Sequence, residues 1–215
     1  MRRTPSNLLI ILAALTGVVG TACQSGGVGD PCIPEDEYSK SFSGYSATEV
    51  NVESRSFQCE TRVCLVANFA GRVSCPYGQK PRGTSSPTEA NSADKSAPAD
   101  DQCYLPGKKQ DPANSIDVPV AAQLLDRPPD KAVYCSCRCD GPDKNVRYCQ
   151  CPSGYACQKL VTDYGFGSGQ LAGSYCIKDG TQVVDSTVLD NGTACDKVTP
   201  GPRPSSCGPK HPAGI

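Results

Sequence analysis

The chain has 215 residues, of which 15 are Cys, 1 is His, 1 is Met and none is Trp, with a formal net charge of −1 at pH 7. Residues 23–215 contain 15 Val, 7 Leu, 4 Ile and 4 Phe, too few large apolar side chains to build an ordinary core, so covalent cross-links must take its place. With 21 basic and 22 acidic residues and no basic stripe interleaved with aromatics, the composition argues against nucleic acid as a partner; the single histidine, His211, leaves no Ser-His or Cys-His pair and argues against an enzyme.

Residues 1–22 read as a cleaved export signal: Arg2 and Arg3, an apolar run over 8–19, then the small residues Gly20, Thr21 and Ala22. The segment resembles a bacterial lipoprotein signal, which implies that Cys23 becomes the lipidated first residue of the mature chain. Removing Cys23 leaves 14 cysteines, the even number that a fully oxidised framework needs, whereas ordinary signal cleavage would strand one thiol in an oxidising compartment. In proteobacterial lipoproteins an Asp after the lipidated cysteine retains the protein in the inner membrane. Gln24 stands there, which implies the outer membrane, on its periplasmic face or the cell surface.

Residues 23–31 read as a flexible, Gly-rich tether between the lipid and the folded body. The first cysteine-rich block, 32–75, carries Cys32, Cys59, Cys64 and Cys75, with strand candidates at 56–58 and 62–68. Glu35, Asp36 and Glu37 are consecutive, a spacing unlike that of a calcium loop, and read as a solvated acidic turn. Residues 76–102 hold four prolines and no Val, Leu, Ile or Phe; with nothing to bury, this stretch reads as a disordered linker that lets the blocks move independently.

The second block, 103–195, holds Cys103, Cys135, Cys137, Cys139, Cys149, Cys151, Cys157, Cys176 and Cys195, with Cys207 in the proline-rich tail 196–215. Residues 104–131 are proline-rich, with one short helical turn expected at 120–126. Cysteines at i and i+2 of a strand share a face but cannot easily bridge each other, so each needs a partner elsewhere. Asp140, Gly141, Pro142, Asp143, Lys144 and Asn145 are turn formers. A hairpin centred on Lys144 places Cys137 opposite Cys151 and Cys139 opposite Cys149, and these two bridges are expected. Further β-prone pieces lie at 175–178, 182–184 and 187–189. Gly165–Ala172 contains a G-x-G-x-x-A pattern without strand-to-helix context and reads as a glycine loop.

The expected fold is therefore small and disulfide-rich, with short β-hairpins, irregular loops and little helix, as two modules each closing its own bridges. The Cys-x-Cys clusters resemble metallothioneins, which implies thiolate metal binding as one alternative; exported cysteines favour bridges, so no metal or other cofactor is expected. Residues 149–157, CQCPSGYAC, resemble the end of an EGF-like module, which implies a disulfide scaffold. GVGDPCIPEDEY after the signal, with the cysteine-rich blocks, resembles uncharacterised lipoproteins of myxobacterial type. The function expected is non-catalytic: a membrane-anchored envelope protein presenting stapled loops to a protein or glycan ligand. A protease inhibitor with a bridge-pinned loop is the other alternative.

Overall fold

The computed structural model describes residues 26–74, 103–109, 111–118, 120, 123–124, 127–165 and 168–181. Cys23, Cys75, Cys195 and Cys207, the signal, the linker 76–102, the β-prone pieces beyond 181 and the tail lie outside the described residues, as does most of the stretch expected to turn at 120–126. Two three-stranded antiparallel sheets organise the rest. The first has the order β1 (Val50–Glu53), β2 (Val63–Ala67), β3 (Val133–Ser136). The second has the order β4 (Arg138–Asp140), β6 (Gly173–Lys178), β5 (Tyr155–Val161). Among the described residues helix is confined to the single turn α1 (Pro129–Ala132) and three 3-10 turns, so they form the expected class of small disulfide-rich β and loop structure with little helix.

Strand β2 explains how so few apolar residues suffice. Its side chains alternate faces, and both faces are covered. Cys64 and Val66 join Cys32, Tyr45, Cys59, Phe69, Val133 and Cys135 in one cluster. Leu65 and Ala67 join Tyr134 of β3 and Tyr175 and Ile177 of β6 in another, which packs one sheet against the other. Polar ties reinforce that contact: the Tyr134 hydroxyl accepts the Lys178 amide at 2.8 Å, and Ser136 Oγ donates to the Cys176 carbonyl at 2.8 Å.

The strand expected at 62–68 is β2, and the piece expected at 175–178 lies within β6. The piece at 56–58 is not a strand; the partner of β2 comes earlier, at Val50–Glu53. The larger correction concerns the two blocks. Val63, Cys64, Leu65 and Val66 pair in register with Ser136, Cys135, Tyr134 and Val133, so one sheet draws strands from both blocks. The bridge Cys59–Cys135 crosses between them as well, whereas Cys32–Cys64 stays within the first. Closure of every bridge inside its own block, and with it independent movement of the blocks, is thereby overturned.

The hairpin centred on Lys144 does not form either. The observed bridges are Cys137–Cys149, Cys139–Cys157 and Cys151–Cys176, in place of Cys137–Cys151 and Cys139–Cys149. Two physical reasons account for this. The chain leaves the first sheet after Ser136 and enters the second at Arg138, so Cys135, Cys137 and Cys139 do not share one face of a continuous strand. Then β6 takes the position beside β4 that residues 149–151 were expected to occupy, and those residues form no strand. The rule that i, i+2 cysteines seek partners elsewhere holds for every bridge named.

Candidate functional site: two stapled loops

Cysteine chemistry decides what this molecule can present. Among the described residues ten cysteines form five bridges, and Cys103 is disulfide-bonded as well. Three bridges stack beneath the second sheet. Cys176 Sγ lies 3.5 Å from Cys137 Sγ and 3.8 Å from Cys149 Sγ, nearly equidistant from both ends of that bridge. Sulfurs of Cys139, Cys151 and Cys176 also fall within 4.8 Å of one another, as do those of Cys32, Cys59 and Cys135. A disulfide sulfur lacks the thiolate charge that binds a metal, so as bridged these groups are a scaffold.

The stack carries a loop, residues 141–148. Pro142, Asp143, Lys144, Asn145, Val146 and Arg147 are all exposed, yet the loop is pinned from within. Arg138 on β4 reaches beneath it, its guanidinium 5.0 Å from the centre of the Tyr148 ring and 3.1 Å from the Tyr148 hydroxyl. That hydroxyl donates to the Asp143 carbonyl at 2.7 Å, and Arg138 also donates to the carbonyls of Gly169 and Gln170 in the glycine loop. The Asp143 carboxylate accepts the Asn145 amide at 2.9 Å, an Asx turn. The Gly141 amide, and after it Lys144, whose Nζ lies 3.2 Å from Asp140 Oδ1, hold the Asp140 carboxyl below its usual range. Cys137–Cys149 closes the base. Glycine is needed nearby at Gly173, where φ is +142° and a Cβ would come within 2.2 Å of the Asp140 carbonyl oxygen.

A second loop, residues 54–62, joins β1 to β2 and is fixed from three sides. The Cys59–Cys135 bridge ties it to β3. The Gln58 side chain makes two hydrogen bonds to Ile33, accepting from its amide at 3.0 Å and donating to its carbonyl at 2.6 Å. Residues 26–31, expected to belong to a flexible tether, are instead paired to the body: Gly26 donates to the Gln58 carbonyl at 2.7 Å and accepts the Glu60 amide at 2.9 Å, and Gly29 donates to the Cys135 carbonyl at 2.8 Å. Arg62 sits at φ +66°, a region that costs a non-glycine residue about 1–3 kcal/mol, and its amide donates to the Cys59 carbonyl at 2.9 Å. The result is a tip on which Phe57 is 81% exposed, with the Arg62 guanidinium 4.0 Å from its ring centre and Arg55, Gln58 and Glu60 exposed beside it.

Beneath the first block lies an ion pair that the sequence reading missed. Glu37, read as part of a solvated turn, is fully buried together with Arg72. Arg72 Nε stands 3.1 Å from Glu37 Oε2, and its other nitrogens donate to the Glu37, Ser39 and Phe42 carbonyls. The Val73 amide and Ser74 hydroxyl donate to the carboxylate at 2.8 and 2.6 Å. Burial pushes the Glu37 carboxyl up and the Arg72 guanidinium down, and each charge opposes the shift of the other. Every polar atom of the pair is used internally, so it serves structure. Gly44 backs this region at φ +108°, where a Cβ would meet the Gly71 backbone at 2.7 Å.

No family model, curated protein or solved structure matches the chain. No helix among the described residues is long and apolar enough to cross a membrane.

Proposed function

We propose that this chain is a lipid-anchored, disulfide-stapled envelope protein whose work is non-catalytic: it presents rigid loops to a protein or glycan ligand outside the cytoplasm. The observation that carries the reading is the state of the cysteines. All eleven described ones are bridged, which suits an oxidising compartment. The apolar run at 8–19 followed by Cys23 supports the lipid anchor in sequence. Loops held by bridges and internal hydrogen bonds lose little entropy on binding, which favours recognition. Intact mass of the cell-derived protein tests the reading. The expected spectrum shows a diacylglyceryl thioether on Cys23 and no alkylatable thiol before reduction. Absence of the adduct, or reactive thiols in native material, overturns it.

One observation favours a second reading, protease inhibition. The pinned loop 141–148 offers exposed Lys144 and Arg147 on a segment whose ends stay joined if one peptide bond is cut. Incubation of the oxidised ectodomain with trypsin-like proteases separates the two readings. Stoichiometric inhibition that is lost in Lys144→Ala or Arg147→Ala supports the inhibitor, and unimpaired protease supports the binding protein.

A further inference from the structure

We infer that the tip of residues 54–62 lies against the membrane and that Phe57 enters the lipid interface, with Arg55 and Arg62 meeting anionic headgroups. The inference rests on the lipid anchor proposed above. Gly26 is held on the backbone of Gln58 and Glu60, which places it beside Phe57. Only Gln24 and Ser25 lie between Cys23 and Gly26, three residue steps in all. At about 3.3–3.6 Å per residue even a fully extended chain spans roughly 10–11 Å, so a lipid on Cys23 cannot carry the bilayer far from this loop. The anchor and the tip belong to the same end of the molecule.

The composition of the tip suits that position. A large exposed apolar ring is costly in water and gains by entering the acyl boundary. Arginine stems lie along apolar surface while their heads reach phosphates, and the Arg62 guanidinium already sits over the Phe57 ring. Glu60 is the one acid on the tip, and against Arg55 and Arg62 it leaves a net positive face. The bridge to Cys135, the Gln58 contacts to Ile33 and the Gly26 pairing fix the backbone that carries the exposed ring. The diacylglyceryl group on Cys23 would hold the chain at the bilayer, and an apolar and cationic contact at the tip would fix how the folded body sits on that surface.

The absence of Trp from the chain gives the test a silent background. The full lipidated protein carrying Phe57→Trp is reconstituted in vesicles of phosphatidylcholine and phosphatidylglycerol, with and without brominated acyl chains, after its mass has confirmed the lipid. Blue-shifted emission that bromine quenches is the expected result, with both effects weakened in the Arg55→Gln, Arg62→Gln background and in vesicles without phosphatidylglycerol. Water-like, unquenched emission from protein that carries the lipid overturns this inference alone and returns the tip to a protein partner. A mass without the lipid overturns the inference and the anchor together.

Discussion

Arg72 and Glu37 show how much single side chains matter when the core is small. Glu37→Gln keeps the shape but leaves Arg72 charged, desolvated and short of its counter-ion. Breaking such a pair costs roughly 3–5 kcal/mol, and the expected outcome is a urea midpoint far below that of the parent. Tyrosines set the response to alkali. Burial raises the phenol pKa of Tyr45, Tyr134, Tyr155 and Tyr175, and at Tyr45 the nearby Asp36 and Glu37 charges add to the effect. Groups raised in the folded state contribute stability that is complete below the unfolded value of about 10 and is lost as pH rises through the folded value. Denaturant stability of the oxidised protein is therefore expected to fall as pH climbs above 10, with late phenolate absorbance at 295 nm from the buried rings; early, uniform titration contradicts it. The acidic run at 35–37 was visible in the chain, but the burial of Glu37 was not, because the cation that neutralises it lies 35 residues away, on a segment brought alongside through the Tyr45–Gly71 backbone pairing.

At the level of elements, β2 and β6 were legible because β-branched and aromatic residues cluster there, and the covalent character of the fold was legible from cysteine count alone. Pairing was not. Local reasoning matched Cys137 and Cys139 to the nearest cysteines across a turn, but the strand that belongs beside β4 comes 33 residues after it, and nothing in the turn DGPDKN marks that choice. The bridges differ in what they close. Cys59–Cys135 spans 76 residues and Cys137–Cys149 spans 12. In the chain-entropy account these stabilise by about 4.5 and about 3 kcal/mol before other bridges shorten the loops, so the Cys59→Ala, Cys135→Ala protein is expected to melt below the Cys137→Ala, Cys149→Ala protein. Arg138 offers a subtler test in the same element. Arg138→Ala removes the support beneath Tyr148 without touching a bridge, so amide exchange should speed up across 141–148 while β5 and β6 keep their protection.

For the whole molecule the central question is whether the two cysteine-rich blocks form one body. Strands β2 and β3 lie side by side although 65 residues separate the end of one from the start of the other, and the Cys59–Cys135 bridge closes that circuit independently of the chain between them. Once the bridge exists, the pairing of β2 with β3 no longer depends on an unbroken backbone between them. A site-specific protease sequence inserted after Ala121 allows the chain to be cut there after folding. The expected product runs as one species without reductant and as two with it, keeps its circular dichroism, loses little in melting temperature and yields the Cys59 and Cys135 peptides joined in one digest fragment. Such behaviour follows from the paired register of Val63, Cys64, Leu65 and Val66 against residues 133–136. Two separable halves in the absence of reductant, each with its own thermal transition, would instead mean that the blocks are independent modules, and the sheet that joins them would have no place in the molecule.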